Sequence, residues 1–199
     1  MKSILVILTS LFLTSCSLSP FAPNNSGRSY GSGQLQAETG NVNNNYHMKF
    51  GYGISQNADL GFIMEFGALS TSALFFRYSF INNETGGSLG SEFGYGSTST
   101  TQFYYLGATG SLAFSKDFEL FINPRINIVS TDKSDIEKDE FNGNISILAY
   151  DINYLQLSYG FNIWFSEVAG LSLYSIYMKG TDIETIQDNV FGASFLFNL

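Results

Sequence analysis

In the stretch LQLSYGFNIWF, residues 155–165, Leu155, Leu157, Tyr159, Phe161, Ile163 and Phe165 alternate with Gln156, Ser158, Gly160, Asn162 and Trp164. A period of two belongs to a strand whose successive side chains point to opposite faces. The same period runs elsewhere. Phe62, Met64 and Phe66 alternate with Ile63, Glu65 and Gly67, and Leu74, Phe76, Tyr78 and Phe80 with Phe75, Arg77 and Ser79. Phe191, Ala193, Phe195, Phe197 and Leu199 close the chain in the same way. No helical period follows the first fifteen residues, so the chain reads as all-β.

The second face of these strands carries glycine, serine, asparagine and a few charges. Only 13% of the 199 residues are charged, 16% are aromatic, and glycine (20) far outnumbers proline (3). Such a composition suits strands and tight turns rather than disorder. The length fits one domain. The formal charge of −8 gives no basic patch for a nucleic acid.

The charges decide which face meets what. Antiparallel neighbours have residue numbers that mirror about the turn between them. Turns centred near 57, 71, 84–85 and 115 set Lys49 against Glu65, Glu65 against Arg77, Arg77 against Glu92, Glu92 against Tyr105, and Tyr105 against Arg125. All six lie on the non-apolar parity of their strands and form one belt of alternating sign. Turned into a lumen, these charges pair across strands; facing lipid at mid-depth, each Arg or Lys would cost about 2–4 kcal/mol. A soluble barrel with this pattern would leave its Phe and Tyr stripes in water as a very large apolar patch. The pattern therefore predicts an antiparallel up-and-down transmembrane β-barrel. Its polar lumen is plugged by the belt and by Phe75, Phe121 and Trp164. The belt reads as structural.

Short turns are expected at 56–59, 82–87, 115–117 and 166–167. Longer gaps are expected near 40–45, 69–72, 97–101, 131–144 and 180–188. Short turns on one rim and longer loops on the other match outer-membrane barrels. Ten strands are expected, near 29–39, 45–55, 59–68, 73–82, 88–96, 102–114, 117–130, 152–165, 168–179 and 188–199, with eight as the alternative. The first is the weakest by pattern. An even number is required if both chain ends lie on one side.

The leader has a positive Lys2, an apolar core from Ile4 to Leu13, and small residues before Cys16. Its apolar run is shorter than the roughly 20 residues of a spanning helix. Leu13-Thr14-Ser15-Cys16 resembles the lipobox of bacterial lipoproteins, in which the cysteine becomes an acylated N-terminus. Ser17 after it, not aspartate, resembles the outer-membrane sorting signal of that family. Acylation accounts for a lone cysteine that an oxidising compartment would otherwise leave unpaired. The domain reading is a signal peptide over 1–15, a lipidated flexible tether over 16–28, and a barrel over 29–199. Loss of the leader removes Lys2 and makes the chain one charge more negative.

From about Tyr30 to Leu199 the chain is similar to small bacterial outer-membrane β-barrel proteins. FGASFLFNL, residues 191–199, resembles their C-terminal insertion signal, with Leu199 where phenylalanine is usual. The resemblance implies the bacterial outer membrane, with acyl chains in the periplasmic leaflet. It implies outer-membrane lipid and the barrel assembly machinery as partners; another envelope protein is left open.

Some barrels of this kind are enzymes that use histidine for proton transfer. The single histidine, His47, has Lys49 as its nearest arguable partner, and no serine has a nucleophile setting. It reads as a solvated lumen residue, so no catalytic residue, metal or cofactor is expected. The loop containing Asp132, Asp135, Glu137, Asp139 and Glu140 reads as a solvated acidic rim rather than a calcium loop. With Asp182, Glu184 and Asp188 near it, and with the apolar run Ile145–Tyr150 beside it, it is the best partner-facing surface. The expected function is a lipid-anchored, non-enzymatic barrel with a structural or surface-interaction role. The alternatives are a narrow channel or hydrophobic-ligand transporter, and a soluble lipocalin-like lipoprotein.

Overall fold

The computed structural model describes Pro20 and residues 22–42, 44–67, 70–99, 101–131, 152–180 and 187–199. The leader, Cys16, the acidic stretch from Asp132 to Glu140, the run Ile145–Tyr150, and Asp182 and Glu184 lie outside the described residues.

The alternating stretches form ten strands: β1 (Leu35–Val42), β2 (Asn45–Gly53), β3 (Ala58–Phe66), β4 (Thr71–Ile81), β5 (Gly86–Ser97), β6 (Thr101–Ala113), β7 (Phe118–Thr131), β8 (Ile152–Trp164), β9 (Ala169–Gly180) and β10 (Gln187–Asn198). Each pairs antiparallel with its sequence neighbours. β1 closes on β10 from Gln36↔Asn198 to Val42↔Gly192, so the sheet has no free edge. A closed barrel pairs its whole backbone ladder internally, the condition for crossing lipid with strands.

Four connections, 54–57, 82–85, 114–117 and 165–168, share one rim with both ends of the barrel chain. Three share a local device. Ser55 Oγ accepts from Asn57 N (3.3 Å), Ser115 Oγ from Asp117 N (3.2 Å) and Ser166 Oγ from Val168 N (3.4 Å). Serine there supplies an acceptor two residues back and holds a tight turn. The opposite rim carries the connections 43–44, 67–70, 98–100, 132–151 and 181–186; the first three are no longer than the four-residue turns opposite, against expectation, and for the last two we call it the long-loop rim.

The weak first strand starts later than its pattern suggests, at Leu35 rather than near residue 29. Gly31 (φ 91°) and Gly33 (φ 79°) occupy the left-handed region that favours glycine. Between them the chain turns, with Gln34 N donating to Gly31 O and Gly33 N to Gly53 O. This turn brings the preceding segment out of the barrel and into β1.

The alternation sorts cleanly by face. Leu74, Phe93, Leu106, Ile122, Ile126 and Phe195 are exposed on the outside. Lys49, Glu65, Arg77, Glu92, Tyr105 and Arg125 are all within 2% of complete burial on the inside. An apolar outer wall around a buried polar interior is the reverse of a water-soluble barrel. Within the lumen, a cluster including Val42, Ile63, Phe103, Val129, Met178 and Val190 fills the long-loop half.

Candidate functional site: the occupied lumen

The segment read as a flexible tether is placed differently over its described part. Residues 22–30 lie inside the barrel, with Ala22, Asn24 and Asn25 buried. A polar segment enters a lumen only if its backbone and side chains find partners there. Ala22 N donates to Glu65 Oε1 (2.7 Å), and Lys49 Nζ donates to Pro23 O (2.8 Å). The Asn24 amide donates to Glu92, and Asn25 Nδ2 to Glu38 Oε1 (3.0 Å). Asn162 Nδ2 donates to Asn25 O (2.7 Å) and Arg77 Nη1 to Ser26 O (2.9 Å). Ser26 Oγ donates to Glu119 (2.8 Å), and Arg28 forms an ion pair with the same carboxylate (3.0 Å). Ser29 Oγ and Tyr30 N both donate to Asp59 Oδ1 (2.6 and 3.0 Å). Arg77 stacks over the Tyr30 ring at 4.4 Å.

The five buried carboxylates of the described wall, Glu38, Asp59, Glu65, Glu92 and Glu119, thus each accept a hydrogen bond from this one segment. Gly27 fits where no side chain would. A Cβ on it would meet Ser88 O at 2.8 Å and Ser111 N at 3.1 Å.

The belt has the expected parity and a different register. Arg77 does face Glu92. Lys49 faces Ile63, and Glu65 faces Thr71. Glu92 faces Gly107, while Tyr105 faces Gly94 and Asn127. The β3–β4 pairs mirror about residue 68 rather than 71, and this three-residue move of the centre puts Asp59 opposite Arg77 in place of Glu65. The ion pairs formed are Arg77–Asp59 (2.6 Å) and Lys49–Glu38 (2.5 Å). Arg125 donates to Gln156 Oε1 (2.9 Å) and lies over the Tyr105 ring at 4.6 Å. A buried pair of good geometry offsets its desolvation only when further hydrogen bonds complete it, and the inserted segment supplies them.

Sequence reasoning missed Glu38, Asp59, Glu119 and Arg28. One signal was available. Lumen parity holds more carboxylates than cations, and residues 22–30 are a stretch of amide, hydroxyl and guanidinium donors committed to no strand.

His47 is fully buried rather than solvated, and its partners are not the expected one. Its Nε2 lies 3.2 Å from Glu38 Oε1 and 3.1 Å from Ser194 Oγ, and Ser194 donates on to Tyr174 OH (3.3 Å). Ser, His and Glu together invite comparison with a catalytic triad. In a triad the acid orients one ring nitrogen and the serine uses the other. Here both approach Nε2, the group is sealed from solvent, and no nucleophile is activated. Among the described residues, no group of three or more His, Cys, Asp or Glu is arranged to hold a metal ion.

At the short-turn rim the lumen opens into a vestibule of about 730 Å³, lined by Arg28, Tyr30, Lys116, Glu119, Trp164 and Asn198 among others. Phe75 and Phe121 are buried inside, as their parity suggests, and Trp164 lines this vestibule.

Closed ten-strand topology, an apolar exterior and a filled polar interior define the class: an antiparallel transmembrane β-barrel. No protein-family model and no curated protein sequence matches the chain. The backbone is similar to that of the KdgM porin at TM-score 0.44 and 5% identity, over 83% of this chain and 99% of that one. It is also similar to a de novo designed transmembrane β-barrel (0.37, 12% identity, 89% and 100% covered). The N-terminal β-barrel domain of Pseudomonas aeruginosa OprF gives 0.35 at 11% identity, over 83% and 96%. These likenesses concern the fold.

Proposed function

We propose that this chain is an integral outer-membrane barrel, lipid-anchored through Cys16, that is closed by its own N-terminal segment and serves a structural or surface-interaction role without catalysis. The observation that carries the reading is residues 22–30 hydrogen-bonded to five lumen carboxylates inside an apolar-skinned barrel. The outer membrane is the membrane in which such barrels reside, and the four short turns suit its periplasmic side. Outer-membrane lipid is the solvent of the outer wall, and the barrel assembly machinery would insert it through the C-terminal stretch. The acidic loop around Asp135 is the surface we assign to an envelope partner.

The apolar exterior argues against a lipocalin-like soluble barrel. The occupied lumen argues against a transporter of hydrophobic ligands, since the path along the segment is taken up by hydrogen-bonded polar groups. The geometry of His47 argues against an enzyme. A channel reading keeps one support: the path the segment occupies is lined with charge.

The test has two parts. A Cys16→Ala protein in carbonate-washed membranes should stay in the membrane and change gel mobility on boiling. In planar bilayers the full chain should show no steady conductance. A washable, unshifted protein would sink the membrane-barrel reading; a steady open pore would sink the closed one.

A further inference from the structure

Beside the inserted segment lies the vestibule of the short-turn rim, about 730 Å³ in volume. A cavity of that size holds a small organic molecule, and its lining says which kind. Three of the four short turns bring a carboxylate to it: Glu84, Asp117 and Glu167. Among the described residues, none of the three forms an ion pair. Two of the lining cations are already engaged, Arg28 with Glu119 (3.0 Å) and Arg77 with Asp59 (2.6 Å), which leaves Lys116 against the three acids. The mouth is therefore two charges negative. An acidic mouth alone is a solvated surface, but the floor supplies a second observation. Asn25 and Asn162 line the vestibule and are buried. Each commits its amide nitrogen to a buried carboxylate, Asn25 Nδ2 to Glu38 Oε1 (3.0 Å) and Asn162 Nδ2 to Glu119 Oε2 (3.2 Å). That network fixes which end of each amide is oxygen. Among the described residues, neither Oδ1 has a donor. A buried acceptor left without a donor is costly, so the floor calls for N–H groups. Two residues along the same face of β8 from Asn162 stands Trp164, the only tryptophan of the chain. Its ring rests on Gly170, where a Cβ would meet Cε3 at 2.9 Å and Cδ2 at 3.0 Å, and the residue lines the vestibule. An indole face attracts a cation.

We infer that this vestibule is a binding site for an aliphatic diamine. One ammonium donates to the Asn25 and Asn162 carbonyls beside the Trp164 ring, and the other is held among the turn carboxylates. The alkyl chain bridges floor and mouth. Competing chemistries fit less of the lining. An anion would meet charge of its own sign, and a neutral sugar would leave the acids unmatched. A quaternary ammonium would satisfy the charge and the ring, but it has no N–H for the two acceptors. The inserted segment builds part of the site through Asn25, so the vestibule takes this form only with the segment in place. The inference goes beyond the structural role proposed above, and it depends neither on Cys16 nor on which side of the membrane the rim faces.

Trp164 is the reporter for the test. The full chain is folded in detergent at low salt, its heat-dependent mobility is confirmed, and cadaverine is titrated while Trp164 emission and the heat of binding are followed. Cadaverine should bind saturably. Its fully N-methylated analogue, of the same charge but without N–H groups, should bind at least about tenfold more weakly, the loss of one charge-assisted hydrogen bond. Glu84→Gln, Asp117→Asn and Glu167→Gln lie in exposed turns. Combined, they should keep the mobility shift, weaken cadaverine by about tenfold and remove most of the salt dependence of its binding. Equal binding of the two amines would overturn the role of the floor. Unchanged affinity in the triple variant would overturn the role of the mouth. No saturable response, in emission or in heat, from a protein that keeps its mobility shift would overturn the site while the barrel stands.

Discussion

Below its middle, toward the short turns, the lumen is filled by charge: Asp59, Arg77 and Glu119 from the wall meet Ser26, Arg28 and Ser29 from the inserted segment. Toward the long-loop rim it is filled mostly by Val42, Ile63, Phe103, Val129 and Val190, with Ala22 among them. On the proposed reading both halves close the lumen, by different physics. Ion pairs and hydrogen bonds are directional, so the charged half fixes the register of the inserted segment. Apolar packing is not directional, so the other half keeps water out and lowers the local dielectric. The exceptions lie within the apolar half. Glu65, last but one in β3, is met there by a backbone N–H; His47, third in β2, is stitched to Glu38 and Ser194.

Removing the segment is the largest test of this division. Deleting residues 22–30 leaves a wall with Glu38, Asp59, Glu65, Glu92 and Glu119 against Lys49, Arg77 and Arg125. A deletion protein that keeps its heat-dependent mobility should conduct in planar bilayers and favour cations under a KCl gradient. A silent bilayer would mean that the apolar half alone closes the barrel.

Breaking the charged half comes next. Arg77→Ala strands Asp59 in the interior and loses the bond to Ser26 O; removing one partner of a buried pair costs about 3–5 kcal/mol. The midpoint of urea unfolding in detergent, followed by Trp164 fluorescence, should fall accordingly, with Arg77→Lys between the two. Breaking the apolar half by Phe103→Ala should also cost about 3–5 kcal/mol, through lost burial and a cavity. It should differ in kind, however. The segment stays bound below, so conductance remains absent in Phe103→Ala, whereas Arg77→Ala should show transient openings. The mildest change, Ile63→Val, should cost about 0.5–1.5 kcal/mol and leave conductance untouched; a larger loss would mark Ile63 as a keystone of the seal.

Much of this was legible beforehand. A two-residue period assigns every strand residue to a face without reference to any other strand, and Arg77 and Glu92 already mirror one another about a short turn. Register was harder. Moving a turn centre by one residue slides the partner by two, which preserves the face and changes the neighbour. This is why Lys49 meets Ile63 and not Glu65, and why Asp59 stands where Glu65 was expected beside Arg77. His47 was placed on the right face, but its partner Ser194 lies at the far end of the chain, beyond any local pattern.

The sequence by itself determined an all-β chain with one apolar and one polar face, because side-chain alternation is a local property of the backbone. Only the tertiary structure decided what fills the lumen. Pro23 to Tyr30 is polar and lacks periodicity, so alone it reads as a tether. Closing ten strands into one barrel brings carboxylates from β1, β3, β5 and β7 into a single enclosed space. Buried acids require donors, and this segment holds them within reach.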